Sequence, residues 1–259
     1  MYISIYKTDG LGCQLKWMIR YLIYVIDHNH TFVFQLHPNM EHNYTNDENY
    51  LKKIENLLNI SVLEQKFDCF VQKKNLPIEK RKNIYTKIDL ERKIREYFTN
   101  NQNHKSVIDN LQIMKEVFRS NKSNNFFNNN KKNIAIHIRR LNKHDTCLNR
   151  KLFYANSNEF YLEKISFLKT KYQSYDLCFH IYSQNDIYNS FHFEDFKKID
   201  NLILHIDEDL CDTFQGLVFA DVLVCGRSGL SYTAALLSNG EIYYDNKYFY
   251  KPLSHWNII

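Results

Sequence analysis

The chain has 259 residues, enough for one large domain or two compact ones, and 44% of them are hydrophobic, which excludes an intrinsically disordered protein. Its 34 Lys and Arg residues outnumber its 29 Asp and Glu residues, which leaves a net charge of +5. This mild, scattered excess argues against a nucleic-acid-binding stripe and suits an anionic ligand such as a nucleotide diphosphate.

The six cysteines show neither a CxxC pair nor a metal-binding spacing, and several lie in apolar runs. We therefore expect buried free thiols in a reducing compartment. No signal peptide is visible, and the apolar stretch 17–26 is too short for a membrane span and contains Arg20. The expected location is the cytoplasm or a cytosol-like compartment, unless the chain is a fragment of a longer protein.

The first half of the chain begins with the strand, turn, helix and strand of a nucleotide-type α/β unit. Apolar spacing predicts, in chain order, a strand at 2–6, a turn at 8–12, a helix at 14–27, a strand at 31–36, and a mainly helical region at 41–119 with amphipathic helices at 50–58 and 88–98. The polar stretch 120–133 is the predicted linker.

After the linker the alternation of strands and helices starts again. The predicted elements are strands at 133–138, 177–182, 201–206, 221–225 and 241–244 and helices at 158–172, 211–220 and 230–238. Such alternation predicts a mainly parallel sheet that binds ligands at the carboxyl ends of its strands. We expect an N-terminal α/β half at 1–130 and a C-terminal α/β half at 131–259.

The first motif follows the first strand and contains Gly10, Gly12 and Gln14. Glycines at a strand-to-helix turn let backbone N–H groups approach an anion at a helix N-terminus. A plain tight turn explains the same residues equally well. The third glycine of a dinucleotide-binding fingerprint is absent, which disfavours a Rossmann dehydrogenase.

The second motif ends the strand at 133–138 and consists of His137, Ile138, Arg139 and Arg140. An arginine fork donates two parallel charge-assisted hydrogen bonds to phosphate. Adjacent residues of a strand point to opposite faces, so one arginine would meet the ligand and the other would pair with an acid or brace a loop. Asp145 would orient an arginine or act as a base. The alternative is a solvated strand end.

The third motif is a hydrophobic strand, a Gly/Ser turn and a helix of small residues at 219–232. Hydroxyls and amides at such a helix start form a phosphate cradle, although a structural N-cap would explain either serine singly. The predicted binding residues here are Gly226, Arg227, Ser228, Gly229 and Ser231. A weaker signal is Ser183, which ends another strand beside polar residues.

One acidic triplet, Asp207-Glu208-Asp209, matches the DxD pattern that holds a divalent ion on a diphosphate. The same triplet would also serve to cap the helix that follows, and we predict no metal and no cofactor. The pair His28 and His30 fits an exposed turn better than a ligand pair.

In this order the motifs resemble the superfamily of GDP-fucose-dependent fucosyltransferases that includes the α1,2-, α1,6- and protein O-fucosyltransferases. Residues 10–15 resemble its early GLGNQL turn, with Cys13 in place of Asn, and residues 137–140 match its HxRR signature. Residues 220–235 are similar to its final strand, Ser-rich turn and helix. Residues 41–119 carry no resemblance, and the acid expected within two residues of the arginines is replaced by Asp145.

The resemblance implies a GT-B-like fold of two Rossmann-like α/β halves with a cleft between them. In that fold the half at 1–130 would be the acceptor side and the half at 131–259 would bind the nucleotide sugar. It also implies an inverting, metal-independent transfer of fucose from GDP-fucose to a glycan or protein hydroxyl. By position, His137 would approach the guanine or ribose, Arg139 would hold the β-phosphate, and Asp212 would lie near the acid that binds the base.

Two alternatives stay open at this point. The first is a transferase that uses another nucleotide sugar. The second is a catalytically silent module that binds a nucleotide or a glycan. The sequence determines neither the acceptor nor the oligomeric state.

Overall fold

The computed structural model describes residues 2–4, 10–36, 43, 46–78, 88–123, 125–140, 156–185 and 193–259. The chain divides into two compact units, Met1–Lys122 and Ser123–Ile259. Each unit contains its own parallel sheet with helices, which confirms the predicted α/β class. The role of the first unit as the acceptor side stays a prediction.

The first unit contains a three-stranded parallel sheet in the order β1-β2-β3. Its strands and helices are β1 (Tyr2–Ser4), α1 (Leu11–Asp27), β2 (Thr31–Phe34), α2 (Tyr50–Leu57), α3 (Ile60–Lys66), β3 (Phe70–Gln72), α4 (Ile88–Asn101) and α5 (Lys105–Arg119). A short 3-10 turn at Lys73–Asn75 follows β3.

Helix α1 is buried along most of its length, including its two basic residues Lys16 and Arg20. The Arg20 guanidinium lies 5.2 Å from the centre of the Phe98 ring on α4, so its charge faces an aromatic surface. The helix ends at Asp27, and Asn29 then takes a left-handed conformation with φ 53°, which asparagine tolerates well.

Strand β3 is a departure from the predicted, mainly helical region at 41–119. It has three residues, too few to show an alternation of polar and apolar positions. Its Phe70 packs against Phe32 and Phe34 of β2, with ring centres 5.5 Å from each. These aromatic contacts on the neighbouring strand favour a strand here.

The second unit contains a six-stranded parallel sheet in the order β6-β5-β4-β7-β8-β9. Its strands and helices are β4 (Lys132–His137), α6 (Asn158–Lys171), β5 (Leu177–Ser183), β6 (Leu202–Ile206), α7 (Leu210–Phe219), β7 (Val222–Val224), α8 (Gly229–Leu237), β8 (Glu241–Tyr244) and β9 (Asn257–Ile258). A 3-10 turn at Phe196–Lys198 precedes β6. The two-residue strand β9 was not predicted.

The strand order reverses beside β4. The chain runs from β4 outward through β5 and β6, then returns to β7 on the other side of β4 and continues to β8. In open parallel sheets ligands bind outside the carboxyl ends of the strands at such a reversal. The buried core beneath this edge includes Ile134 and Ile136 of β4 and Val224 of β7. The edge at which His137 ends β4 is therefore where a ligand is expected.

The described cysteines are all free thiols. Cys178 and Cys225 are buried, as expected, but Cys13, Cys69 and Cys211 are partly exposed, so the expectation of burial was wrong for these three. Cys147 lies outside the described residues. Among the described helices, none combines the length and apolar character needed to cross a lipid bilayer.

Candidate anion-binding site

Strands β4 and β5 carry two of the predicted motifs to the same edge of the second sheet. His137 pairs with Tyr182, and the Ile138 N–H donates to the Tyr182 carbonyl oxygen at 3.0 Å, one residue beyond β4. The Ser183 hydroxyl then donates to the Ile138 carbonyl oxygen at 2.8 Å. These bonds fix the backbone from which Arg139 extends. Ser183 therefore has a local structural partner at this edge.

The His137 side chain is 7% exposed, and its Nδ1 atom has no hydrogen-bond partner among the described residues. Burial lowers the pKa of His137 to about 3, with a further contribution from the positive charge of Arg139. The imidazole is thus neutral near pH 7. A buried polar atom without a partner is costly unless a ligand supplies one.

Gly226, just after β7, packs directly against this histidine. A Cβ atom at this position would lie 2.4 Å from the His137 carbonyl oxygen and 3.1 Å from Nδ1. The same atom would lie 3.3 Å from the backbone nitrogen of Arg139. Any side chain at 226 would displace the backbone of the histidine–arginine motif. The third motif is therefore packed against the second.

The Arg139 guanidinium lies at the partly exposed end of β4. Its Nη1 donates to the Gln184 side-chain oxygen at 3.3 Å and also to the Arg140 carbonyl oxygen. Both of these partners are neutral acceptors. Gln184, one of the polar residues that follow Ser183 in the weaker signal, thus holds the guanidinium at the edge of the sheet.

Arg140 is placed very differently, because its side chain is buried at 2% exposure. Its guanidinium donates to the Asn156 carbonyl oxygen at 2.9 Å and to the Asn158 side-chain oxygen at 2.7 Å. Arg140 thereby braces the segment that begins α6. This arrangement agrees with the expectation that one arginine of the pair braces a loop.

Asp245, at the carboxyl end of β8, is a buried acid that sequence reasoning missed. Its Oδ2 accepts from Arg227 Nε at 2.7 Å and from Asn156 Nδ2 at 3.1 Å, and its Oδ1 accepts from the Lys247 N–H at 2.9 Å. Burial raises the pKa of Asp245, but these hydrogen bonds and the Arg227 charge outweigh it, so the pKa is lowered. The carboxylate is ionised. Asp145, the predicted acid, lies outside the described residues.

The third motif forms the turn into α8 as predicted, and both serines have structural partners. The Ser228 hydroxyl caps the helix by accepting from the Leu230 N–H at 3.1 Å. The Ser231 hydroxyl donates to the Gly226 carbonyl oxygen at 2.8 Å and is buried. Gly229 is the first residue of α8. The N-terminus of this helix, with its positive dipole, lies three residues from Gly226.

The acidic triplet at 207–209 has a structural partner for each carboxylate. Asp207 accepts from Asn185, Glu208 bonds His205 at 2.9 Å, and Asp209 caps α7 by accepting from the Cys211 N–H at 2.8 Å. Across the described part of the chain no group of three or more His, Cys, Asp or Glu side chains is arranged to hold a metal ion. Asp209 therefore acts as a helix N-cap, which was the alternative to a metal-binding role for the triplet.

Asp212, the acid predicted to lie near the base, is exposed in the first turn of α7. Partial burial raises its pKa, and the negative charges of Asp209 and Glu208 raise it further. Its role in base binding stays a prediction.

The first motif lies in the first unit, at the start of α1. Gly10 is the N-cap of α1, with φ −64° and ψ 170°, and its carbonyl oxygen accepts from the Cys13 and Gln14 N–H groups at 3.0 and 3.2 Å. Gly12 and Gln14 are buried in the first turn of the helix. Any residue can adopt a φ of −64°, so the conformation of Gly10 does not itself require a glycine.

No family model matches this sequence, and no curated protein matches it. Among solved structures, the chain is similar to Escherichia coli heptosyltransferase WaaC with ADP at 10% identity and a TM-score of 0.47, covering 100% of this chain and 92% of that one. It is also similar to fucosyltransferase NodZ from Bradyrhizobium at 9% identity and a TM-score of 0.44, covering 92% and 93%. A third is POFUT1 in complex with GDP-fucose, at 13% identity and a TM-score of 0.43, covering 92% and 94%. With all three TM-scores below 0.5, none of these likenesses decides what the chain does.

Proposed function

We propose that the second unit binds the diphosphate of a nucleotide sugar at the carboxyl edge of its sheet, and that the protein is a glycosyltransferase. One observation carries the proposal: the positive charge of Arg139 acts on the buried, neutral His137, whose Nδ1 lacks a partner among the described residues. A cation and an unsatisfied buried polar atom at a strand reversal suit an anionic ligand with further polar groups.

Neighbouring features add to the attraction for an anion. The turn at Gly226 is packed against the His137 backbone and leads directly into the N-terminus of α8. The positive end of a helix dipole stabilises phosphate groups within about one turn. Because His137 is neutral, it hydrogen-bonds a ligand without adding repulsion next to Arg139.

The reaction we propose is attack of an acceptor hydroxyl on the anomeric carbon of the sugar. The new bond forms as the bond from that carbon to the diphosphate oxygen breaks, and this direct displacement inverts the configuration. Negative charge grows on the leaving oxygen, so a guanidinium fixed there stabilises the transition state more than the ground state. Arg139 takes this role, and Asp145 is the proposed base for the hydroxyl proton.

GDP-fucose is the proposed donor, because residues 137–140 and 10–15 resemble the corresponding motifs of the fucosyltransferases. The acceptor is a glycan or protein hydroxyl. The proposed reaction needs no metal, and the carboxylates of the DxD-like triplet already have protein partners.

The test is a panel of nucleotide sugars incubated with a mixture of glycan and protein acceptors. We expect transfer or slow donor hydrolysis with GDP-fucose, and about 10²–10³ less with Arg139→Ala because one transition-state donor is lost. Circular dichroism of the variant checks its fold. Equal turnover in wild type and Arg139→Ala would overturn the assignment of Arg139, and nucleotide binding without any turnover would indicate a silent binding module.

A further inference from the structure

We propose that Asp245 is a positioning residue that holds the arginine side chains of the site in place through Arg227 and Asn156. This inference rests on the proposed function of the same site, and it assigns a role to an acid that lies outside every motif of the sequence.

The carboxylate joins three separate elements of the second unit. It follows β8, it accepts from Arg227 in the turn before α8 at 2.7 Å, and it accepts from Asn156 in the segment before α6 at 3.1 Å. The Asp245 side chain is buried, with only 4% exposed, and that of Arg227 is 12% exposed. A buried, well-hydrogen-bonded pair is far less screened than a surface salt bridge.

Asn156 connects this carboxylate to the arginine pair. Its side-chain amide donates to Asp245, and its backbone carbonyl oxygen accepts from Arg140. Asn156 therefore accepts a hydrogen bond from Arg140 and donates one to Asp245. Displacing the Asp245 carboxylate would loosen the acceptor that fixes Arg140, which directly follows Arg139.

Tyr161 lies within electrostatic reach of the same groups. Its buried hydroxyl lies on α6, and burial raises its pKa to about 12. Arg140, Arg227 and Asp245 each add a smaller electrostatic influence on the same hydroxyl. Both arginines and the acid thus act within reach of a single buried group.

The chemistry specifies an ionised carboxylate at position 245. Its Oδ2 accepts from both Arg227 and Asn156, while Oδ1 accepts the Lys247 N–H. An asparagine has one acceptor oxygen and no charge, so its NH2 group would face either the Lys247 N–H or the two donors Arg227 and Asn156, and in both orientations the negative charge that attracts Arg227 is lost. Asp245→Asn is therefore expected to release Arg227 while changing the volume of the side chain very little.

The experiment compares arginine labelling by phenylglyoxal, mapped by mass spectrometry, in wild type and Asp245→Asn without any ligand. We expect Arg227 to be labelled several-fold faster in the variant. Asn156→Ala leaves the pair of Asp245 and Arg227 intact, so in that variant we expect faster labelling of Arg140 but not of Arg227. Should Asp245→Asn fail to fold, the labelling of Arg140 in Asn156→Ala still tests whether Asp245 holds this arginine through Asn156. Unchanged labelling of Arg140 in that variant would overturn this part of the inference.

The matched control is Glu241→Gln, at the opposite end of β8. Glu241 accepts from Lys171, Tyr172 and Asn257 in a network of its own, so the same chemical change there should leave the labelling of Arg227 and Arg140 unchanged. Unchanged labelling of Arg227 in Asp245→Asn would overturn the inference, as would equal acceleration in Glu241→Gln.

A second readout separates positioning from structural support. The Kd for GDP is expected to rise about tenfold in Asp245→Asn, the equivalent of one charge-assisted contact, and to stay at the wild-type value in Glu241→Gln. An unchanged Kd in a variant whose Arg227 is released would overturn the positioning role. If wild type binds no nucleotide, the proposed function fails, and the labelling still decides whether Asp245 positions the arginines.

Discussion

Gly226 lies so close to His137 that a Cβ atom at this position would be 2.4 Å from the histidine carbonyl oxygen. The turn before α8 therefore packs against the end of β4 with no space for a side chain between the two backbones. The glycine is required here by the close approach of the two backbones, since no described glycine has a positive φ.

Gly226→Ala should consequently harm both stability and binding. Because a backbone must shift to admit the methyl group, we expect a loss of about 1–3 kcal/mol in the free energy of unfolding, together with loss of thermal stabilisation by GDP. Gly240→Ala is the control, since its Cβ would lie 2.4 Å from the Ala220 carbonyl oxygen, near the amino end of β8. It should destabilise the protein but retain the GDP response; a retained response in Gly226→Ala would contradict this account.

The two adjacent arginines should give opposite results when each is replaced by methionine. Arg140→Met leaves the buried acceptors on Asn156 and Asn158 unsatisfied, at about 1–3 kcal/mol each in the free energy of unfolding. Arg139→Met should change this free energy by less than about 1 kcal/mol, because its guanidinium is partly exposed. Urea denaturation measures both. Equal losses would show that the division of roles between the arginines is wrong.

The burial of neutral His137 should make the protein less stable in acid, because the unfolded chain binds a proton at this residue and the folded protein does not. Its pKa is about 3 in the folded protein against 6.5 for a free histidine, so between these pH values the unfolded chain binds a proton that the folded protein does not. The stability therefore falls as the pH drops below about 6.5, by up to about 1.4 kcal/mol per pH unit for this group.

The measurement is the free energy of unfolding at several pH values between 4 and 7, for wild type and His137→Asn. We expect a shallower dependence in the variant, and an unchanged one in His104→Gln, where the replaced histidine is exposed. Identical slopes for wild type and His137→Asn would contradict the burial of a neutral imidazole.

The acidic triplet should matter for stability and not for nucleotide binding. Asp209→Ala removes the N-cap of α7 and should cost about 1 kcal/mol in the free energy of unfolding. GDP should stabilise this variant as much as wild type, and EDTA should leave that stabilisation unchanged. Loss of the GDP response in EDTA would instead show that a divalent ion takes part in binding.

Local apolar patterns were sufficient to predict most strands of the second unit. The run Ile134-Ala135-Ile136 predicts β4 because a strand in the middle of a parallel sheet is covered on both faces. Strands β3 and β9 have three and two residues, and such short segments are defined by their neighbours in the sheet rather than by a pattern of their own.

The site was predictable to the extent that its chemistry is local. His137 and Arg139 stand out because charged and polar groups directly follow a buried strand. Which arginine is buried depends on Asn156 and Asn158, which lie more than ten residues downstream. Asp245 could be found only by recognising that it ends a strand of the same sheet, because the order of strands is not a local property of the sequence.

The most direct test of the central claim is the Kd for GDP, measured by isothermal titration calorimetry on wild type, Arg139→Ala and Arg139→Lys. We expect binding by wild type and a Kd about 10–100-fold higher in Arg139→Ala, as one charge-assisted contact of about 1.5–3 kcal/mol is lost. Arg139→Lys should lie between the two, because it keeps the charge and loses the planar fork. The same Kd in all three proteins, or no binding of GDP, UDP or ADP by wild type, would contradict a diphosphate site at Arg139.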